Sequence, residues 1–339
     1  MKKNKIIIGT RGSKLALWQA EWVKSELQKI YPDLNIKLEK IKTTGDKIVD
    51  VPLAKVGGKG LFVKEIEEAI LKGKADIAVH SMKDVPTELP KGLHIAAICK
   101  REDPRDAFIA PVHGSRFTVH GFRDLPVGAI IGTSSLRRSC QLLHIRPDLK
   151  IEQLRGNLDT RIRKLDEGKF DAIILAAAGV KRLGWAGRIT EILSPEISLP
   201  AIGQGAIGIE CRIDNDYINN LIAPLNHPET SICIRAERAF LKKLEGGCQV
   251  PIAAYARLLP PNPPITKERQ ENSKLQTQNS ELLVIDGLVG SISGDKIIKS
   301  HIEGEQKNAK LLGIKLAEKI LSIGAKQILD EVYDRASLQ

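Results

Sequence analysis

The sequence predicts an α/β protein with two similar lobes, followed by a smaller α+β domain. Three observations support this prediction: short apolar strands alternate with amphipathic helices, a strand–Gly-Thr–helix pattern occurs twice, and the pattern changes near residue 225. A chain of 339 residues, 42% of them hydrophobic and 27% charged, is long enough for two or three domains that each bury a core. These proportions are those of a folded globular protein rather than a disordered one.

The first lobe is predicted from an alternation of strands and helices that runs to about residue 104. Its predicted elements are strands at 6–8, 36–41 and 76–80, and helices over 15–30 and 62–70. The helices carry apolar residues at helical spacing, and the strands are short apolar runs. This βαβ order implies a largely parallel, buried sheet.

The second lobe repeats the pattern after a charged, proline-containing segment at 102–106, which is typical of a domain boundary. Its predicted elements are strands at 127–131, 151–154 and 171–176, with a helix opening after 132–135. A Gly-Thr pair follows the first strand of each lobe, at Gly9 and at Gly132. Two such lobes enclose a cleft, and ligands of these sheets gather at the carboxyl ends of the strands.

The domain assignment depends on the glycine-rich and then apolar run at 200–212, which predicts a strand that returns to the first lobe. We therefore assign 1–104 with 203–224 to the first lobe, 105–202 to the second and 225–339 to the third domain. In the third domain we predict a helix that ends before Gly246-Gly247, strands near 251–258 and 282–290, and a closing helix near 308–322. The polar, proline-rich stretch at about 260–280 is predicted to be a solvated insertion without chemistry.

Composition excludes several classes of protein. No apolar run approaches the roughly 20 residues that cross a bilayer, and the apolar start at 6–8 is too short for a signal peptide. We therefore expect a cytoplasmic protein that does not engage a membrane. The five cysteines include no C-x-x-C pair, and the seven histidines lack zinc-type spacing, so neither a disulfide framework nor a metal site is expected.

The charge balance predicts an anionic partner, because 52 Lys and Arg against 41 Asp and Glu give a formal charge of +11. Only 4% of the residues are aromatic, which leaves few platforms on which nucleic-acid bases could stack. The run 203–208 matches the G-x-G-x-x-G pattern of dinucleotide sites, but Pro200 precedes it and a strand-like run follows. That fingerprint requires a strand before it and a helix after it, so we reject a dinucleotide site.

Arg137 and Arg138 stand in the first turn of a predicted helix, after two serines. The positive end of a helix normally attracts acidic residues, so two cations there indicate an anionic ligand. Solvated surface arginines are the alternative. Further polar and cationic residues near predicted strand ends and helix starts are Arg11, Ser13, Arg155, Arg161 and Arg182. Guanidinium groups beside hydroxyls suit carboxylates or phosphates, which favours a polyanionic small molecule in the cleft.

Asp84 and Cys248 are the candidates for chemistry. Asp84 follows Lys83 at a predicted strand end, where nearby cations favour an ionised carboxylate able to stabilise a positive charge. A turn-forming Asp before Val85-Pro86 is the alternative. Cys248 follows two glycines in a loop without apolar periodicity, which suits an attachment point or a nucleophile but also a loop thiol without a role. The remaining cysteines fall on predicted strands and helices, where burial is expected: Cys99, Cys140, Cys211 and Cys233.

Six segments together resemble the porphobilinogen deaminase (hydroxymethylbilane synthase) family. They follow one another along nearly the whole chain: GTRGSKLA at 9–16, KVGGKGLF at 55–62, HSMKDVP at 80–86, GTSSLRR at 132–138, LRGN at 154–157 and LEGGCQVP at 244–251. The insertion near 260–280 is the clear departure from the family, and it touches none of the six segments.

The resemblance implies two periplasmic-binding-protein-like lobes with mixed sheets and a small C-terminal domain for cofactor attachment. It implies a transferase of heme biosynthesis that joins four porphobilinogen molecules head to tail into hydroxymethylbilane and releases ammonia. One covalent dipyrromethane per chain is implied, attached through a thioether to Cys248, with Asp84 as the catalytic carboxylate. The implied cofactor contacts are Ser81, Lys83, Thr133, Ser135, Arg137 and Arg138. The implied substrate contacts are Arg11, Ser13, Arg155, Arg161 and Arg182, and the implied loop over the cleft holds Lys55, Lys59 and Phe62.

The resemblance also implies a monomer whose product passes to uroporphyrinogen-III synthase. From the residues alone, two other functions stay open. A non-catalytic, two-lobed binder of organic anions would explain the cleft and its charge, but it would leave Cys248 without a task. Nucleic-acid binding is supported by the net charge only.

Overall fold

The computed structural model describes residues 5–47, 62–111, 119–246, 250–259 and 282–337. In this part of the chain there are three sheets, two of five strands and one of three. Two α/β lobes are followed by an α+β domain, which confirms the predicted fold class. Within the same residues, no helix has both the length and the apolar character needed to cross a membrane.

The elements are named in chain order. The strands are β1 (Lys5–Thr10), β2 (Asn35–Lys40), β3 (Ile77–Ser81), β4 (Leu93–Ile98), β5 (Asp106–Ile109), β6 (Ile130–Gly132), β7 (Lys150–Glu152), β8 (Ala172–Ala176), β9 (Glu191–Ile192), β10 (Ile207–Arg212), β11 (Ile252–Leu259), β12 (Leu282–Gly290) and β13 (Ile297–Glu305). The helices are α1 (Lys14–Ile30), α2 (Thr44–Lys47), α3 (Lys64–Leu71), α4 (Leu136–Ile145), α5 (Leu158–Asp166), α6 (Ala177–Arg182), α7 (Asp216–Ile222), α8 (Pro228–Lys243), α9 (Ala309–Ile320) and α10 (Lys326–Ser337). A 3-10 turn, Met82–Asp84, follows β3.

The first two sheets share one topology. The first has the order β2-β1-β3-β10-β4 and the second has the order β7-β6-β8-β5-β9. In the first sheet β1 is parallel to β2 and β3, whereas β10 is antiparallel to β3 and β4. In the second sheet β6 and β5 have the corresponding relations to their neighbours. The carboxyl ends of β1 and β3 in one lobe therefore correspond to those of β6 and β8 in the other.

The chain crosses between the lobes twice, after β4 and before β10, and one buried carboxylate fixes both crossovers. Glu237 on α8 is fully buried and pairs with Arg101 of the first crossover, with Oε1 and Nη1 2.6 Å apart. Arg101 Nε also donates to the carbonyl of Gln204 in the second crossover, at 2.8 Å. Glu237 further accepts the backbone N–H groups of Gly203 and Ala256, at 2.7 and 2.9 Å. The third domain is thus fastened to both crossovers through this side chain.

The third domain packs α8 and α9 against the antiparallel sheet β11-β12-β13. Phe240, Ile285 and Leu316 are fully buried between the layers. Gly313 lets the two helices approach closely, because a Cβ there would lie 2.2 Å from the carbonyl oxygen of Ala236. Gly324, at φ +111°, separates α9 from α10.

The structure differs from several predicted elements. The strand predicted at 127–131 is shorter and begins later, as β6 (Ile130–Gly132). The reason is that Val127 is 85% exposed and precedes Gly128, which lies in a turn at φ +76°. Strand β13 and helix α10 were not predicted. Most residues of β13 after its first two are polar or charged, as an edge strand allows, and α10 follows the glycine at 324. The domain boundaries at 104, 202 and 224 stay a prediction.

Candidate active site

The ends of β1 and β3 form one wall of a cavity in the first lobe. Arg11 and Ser13 follow β1, and Ser81 and Asp84 lie at and just beyond the end of β3. Because β1 and β3 are parallel neighbours, their carboxyl ends meet at the same edge of the sheet. These four residues and Phe62 all line the cavity. The structure therefore brings five of the predicted site residues together.

Asp84 is positioned by the turn that follows β3. Met82 in this turn is 1% exposed, and its backbone N–H donates to the carbonyl of Ala206 at 3.0 Å. Gly208 makes room for this side chain, because a Cβ at Gly208 would lie 2.2 Å from Met82 Sδ. The turn is thereby fixed from the protein interior, while Asp84 at its end is exposed.

The other residues of this cavity are held by short-range contacts. Ser13 caps α1, with its Oγ accepting the N–H of Ala16 at 3.3 Å. The guanidinium carbon of Arg11 lies 4.3 Å from the centroid of the Phe62 ring, which is a cation–π contact. Buried Gln19 on α1 donates to Ser81 Oγ at 2.9 Å. The hydroxyl and the guanidinium are therefore both oriented before any ligand arrives.

Arg137 and Arg138 in the second lobe are buried, and both pair with Asp106 of β5. Arg137 Nη1 lies 2.8 Å from Asp106 Oδ2, and Arg138 Nη2 lies 2.7 Å from Oδ1. An internal carboxylate therefore already pairs with both cations, and the alternative of solvated surface arginines is wrong because both side chains are buried. The reason is topological: β5 pairs with β8 and carries an internal carboxylate to the start of α4.

Asp106 is ionised despite its burial. Burial alone would raise its pKa, but the Arg137 and Arg138 guanidinium groups outweigh that effect and hold the pKa of Asp106 well below its usual range. Ser198 Oγ and Gln204 Nε2 also donate to this carboxylate, at 2.8 and 3.0 Å. Two positive charges therefore share one negative charge, so this buried group keeps a net positive charge.

The start of α4 keeps the anion-binding character that its sequence predicted. Thr133 is 2% exposed, and its Oγ1 accepts the N–H of Ser135 at 3.2 Å. The Ser135 side chain does not cap the helix, and the first turn of α4 holds no acidic residue. The positive end of the helix is therefore not neutralised by its own first turn.

Charges from the two lobes meet at Asp84. Burial lowers the pKa of the Lys83 ammonium to about 8, although neighbouring Asp84 opposes this, and Arg138 and Arg161 both act on Lys83. Burial and then Arg138 lower the pKa of Arg161 to about 10, with Asp84 acting in the opposite direction and Arg155 in the same one. The structure therefore places residues of the first lobe and of the second lobe in one electrostatic group around the cleft.

Arg182 is placed differently from the other predicted substrate contacts. Its Nη2 donates to the carbonyl of Gly205 at 2.7 Å, and its guanidinium carbon lies 5.7 Å from the centroid of a Trp18 ring. Gly205 has φ +88°, and a Cβ there would lie 2.4 Å from the carbonyl oxygen of Glu102. Arg182 thus lies at the junction of the lobes, and the glycines of the G-x-G-x-x-G run serve the packing of the crossovers.

Three predicted site residues, Lys55, Lys59 and Cys248, lie outside the described residues. The other four cysteines are buried, as predicted. Burial raises the pKa of the Cys99, Cys140 and Cys233 thiols to about 12 and that of Cys211 to about 11. These four thiols are therefore poor nucleophiles at neutral pH.

Two family models match the chain. The model described as porphobilinogen deaminase, dipyromethane cofactor binding domain, matches residues 6–220, and the porphobilinogen deaminase C-terminal domain matches residues 231–322. A porphobilinogen deaminase of Geobacter sulfurreducens is 54% identical over 335 residues, which cover 99% of this chain and 97% of that protein. One of Pelobacter propionicus is 52% identical and covers 99% of both chains. The chain belongs to the porphobilinogen deaminase family.

Solved structures of low sequence identity also match the chain. The methionine binding protein MetQ is 15% identical to this porphobilinogen deaminase family member, with a TM-score of 0.42 over 68% of this chain and 93% of that one. Similarity at this level carries no functional argument.

The residues at the start of α4 fit the dipyrromethane cofactor that this family binds. The acidic side chains of such a group require cationic donors, and Arg137 Nε is buried without a hydrogen-bond partner in the described structure. An unpartnered buried donor is costly unless a ligand satisfies it. The net positive charge around Asp106 and the uncapped start of α4 also favour an acidic ligand at this place.

Gln19 and His80 also line the first-lobe cavity, although their sequence context did not single them out as site residues. Gln19 occupies the same buried stripe of α1 as Val23 and Leu27, at a spacing of four residues. A polar residue on an otherwise apolar stripe is the signal that could have identified it. His80 lies within an apolar strand and offered the same kind of signal.

Proposed function

We propose that this chain polymerises four porphobilinogen molecules head to tail into hydroxymethylbilane, with release of ammonia. As a member of the porphobilinogen deaminase family it is a transferase of tetrapyrrole biosynthesis. The observation that carries the proposal is the meeting of Asp84 with cations from both lobes, Lys83 and Arg161. A substrate with an acetate and a propionate that becomes transiently cationic at its methylene carbon requires both signs of charge.

Asp84 is the catalytic carboxylate in this proposal. When ammonia leaves porphobilinogen, positive charge develops on the methylene carbon and spreads into the pyrrole ring. A carboxylate already held nearby stabilises that charge without reorganisation. Among the described residues that line the first-lobe cavity, Asp84 is the acidic one, which supports the assignment.

The substrate carboxylates are held by arginines in this proposal. The assigned side chains are Arg11, Ser13, Arg155, Arg161 and Arg182. Planar guanidinium groups form paired hydrogen bonds to carboxylates and remain charged at neutral pH. The contact of Arg182 with Gly205 supports a place for it beside the part of the growing chain nearest the lobe junction.

The cofactor is held by residues of both lobes and attached to Cys248. We assign its contacts to Ser81, Lys83, Thr133, Ser135, Arg137 and Arg138. When bound, dipyrromethane supplies the pyrrole end on which the product is assembled. Lys55, Lys59 and Phe62 are assigned to the loop over the cleft, and the contact of Phe62 with Arg11 supports this placement.

The setting of the reaction completes the proposal. We propose that the chain acts as a monomer in the cytoplasm and passes hydroxymethylbilane to uroporphyrinogen-III synthase. The relatives are biosynthetic enzymes of this same reaction by name, which supports the setting.

Intact-protein mass spectrometry of the untreated chain tests the proposal. We expect the mass of the chain plus one dipyrromethane, the bare mass for Cys248→Ala, and the adduct retained in the buried-thiol control Cys233→Ala. An adduct in Cys248→Ala would contradict the attachment. A bare wild-type chain that binds porphobilinogen without consuming it would favour a non-catalytic binder of organic anions.

A further inference from the structure

A buried group of titratable side chains lies behind the first-lobe cavity and has no part in the function proposed above. It consists of Glu67 on α3, His80 on β3 and Glu210 on β10, which are 6%, 5% and 0% exposed. His80 Nε2 lies 2.9 Å from Glu210 Oε2. The neighbouring strand residue Ala78 packs against Ile66 and Ile70 of α3, so alternation along β3 turns His80 toward the same helix.

This group holds more acceptors than the described structure satisfies. Glu67 Oε1 and Glu210 Oε1 are buried and make no hydrogen bond there. Buried carboxylate oxygens without partners are costly, and a proton shared within the group relieves that cost. Burial, and then Glu210, raise the pKa of Glu67 to about 7, while His80 acts in the opposite direction. The Glu67 carboxyl therefore exchanges a proton near neutral pH.

His80 connects this group to the cavity. It lines the same cavity as Arg11, Ser81 and Asp84. The contact described for its ring is the one from Nε2 to Glu210, which leaves Nδ1 as the ring nitrogen available to a ligand. Charged groups beside the three side chains include Arg11 and Asp84, which line the cavity with His80. Arg238 of α8 interacts with Glu210 and donates to the carbonyls of Val85 and Pro86.

We propose that His80 is a proton-transfer residue of this active site, with Glu67 and Glu210 as its positioning residues. The inference rests on the proposed function. In each condensation the C–N bond of the protonated aminomethyl group breaks with its electron pair on nitrogen, so that ammonia leaves. The pyrrole α-carbon then forms a bond to the methylene carbon. The α-hydrogen leaves as a proton while its electron pair returns to the ring. His80 Nδ1 accepts that proton and then gives it to the released ammonia, which leaves the site as ammonium.

A separate base is needed because Asp84 faces the developing cation. If Asp84 took the proton itself, it would lose the charge that stabilises the next cation. A carboxylate on the far ring nitrogen orients an imidazole and stabilises its protonated form. Glu210 is such a carboxylate, because its Oε2 contacts Nε2 of His80, the ring nitrogen far from the proposed substrate side.

The test begins with His80→Asn and its matched control His94→Asn, a half-buried histidine of the same sheet that bonds Asn219 at 2.8 Å. We expect His80→Asn to keep the cofactor adduct by mass and to lose about 100-fold in kcat. Added imidazole should restore part of that loss, and His94→Asn should keep its rate. Glu67→Gln should move the limb of the kcat profile near neutral pH, whereas Glu68→Gln should leave it in place.

A second readout does not depend on turnover. Nitrogen-15 NMR of the histidine-labelled full chain without substrate should show His80 with Nε2 protonated and Nδ1 bare at neutral pH. The opposite tautomer, or an unaltered kcat in His80→Asn, would overturn the inference while leaving the proposed function intact. If His80→Asn does not fold, the wild-type spectrum and the Glu67→Gln profile decide. A wild-type chain with neither adduct nor turnover would instead refute the proposed function itself.

Discussion

The two lobes have the same strand order and opposite buried charge. In the first lobe, carboxylates outnumber cations in the buried group of Glu67 on α3, His80 on β3 and Glu210 on β10. At the strand ends of the second lobe, Arg137 and Arg138 share the single carboxylate of Asp106. The sheets themselves pair their strands in the same directions.

This difference teaches that topology supplies the place for a site while a few buried side chains supply its chemistry. Burying an unbalanced charge costs free energy, so an imbalance is retained where a ligand or a proton restores the balance. An acidic substrate that becomes cationic at one carbon matches both imbalances. We propose that arginines of both lobes, most of them in the second, hold its carboxylates, and that Asp84 of the first lobe stabilises its positive charge.

Asp106→Asn tests the second lobe most severely. The change leaves two buried guanidinium groups without their counter-charge, so we expect a loss of about 3–5 kcal/mol in the free energy of unfolding. Chemical denaturation at neutral pH measures it. Because the pKa of Asp106 is held below its usual range, the wild-type contribution should persist at neutral pH and disappear as the pH falls below about 4.

The matched control is Asp214→Asn, which breaks the solvent-exposed pair with Arg212 at 2.7 Å. That substitution should change the unfolding free energy by less than about 1 kcal/mol. Equal effects of the two substitutions would refute the structural role given to Asp106.

Glu67→Gln tests the first lobe. A carboxyl whose pKa is raised to about 7 in the folded state stabilises the fold when protonated. Its contribution is therefore complete below the ordinary pKa and is lost as the pH rises through 7. Wild-type stability should fall by up to about 3 kcal/mol between pH 5 and pH 8 on this account, and Glu67→Gln should flatten the curve. An identical pH dependence in denaturation of the two proteins would show that Glu67 is ionised throughout.

Arg161→Gln tests the contact across the cleft and has the smallest expected effect. Removing one charged hydrogen bond to a substrate carboxylate should raise KM by about 10- to 100-fold, with little change in kcat. Steady-state kinetics with porphobilinogen measures both. Arg163→Gln, on the same helix but 69% exposed at its side chain, is the control and should behave as wild type. A fall in kcat alone would place Arg161 in the chemistry instead of binding.

The local features of this site were predictable from sequence. The turn after β3 that carries Asp84, the helix starts at Ser13 and Ser135, and the burial of the four cysteines follow from patterns within a few residues. Local propensity and apolar spacing determine such features.

The buried partners were not predictable, because strand pairing brings them together from far along the chain. Asp106 lies 32 residues before Arg138, and Glu210 lies 130 residues after His80. Neither pairing leaves a local trace, apart from the presence of a charged residue in an otherwise apolar strand such as β10. Because Asp106 is distant from Arg137 and Arg138 in sequence, the pattern around the two arginines predicted an external anion and not this internal one.

Turnover and intact mass of Asp84→Asn, measured on one preparation, test the division of labour between the lobes most directly. Our account predicts an unchanged fold, a retained dipyrromethane adduct and a turnover reduced by about 100- to 1000-fold, because the developing cation loses its counter-charge. Glu88→Gln, an exposed acid beyond the same turn, should turn over as wild type. Wild-type turnover in Asp84→Asn with the adduct in place would contradict the account.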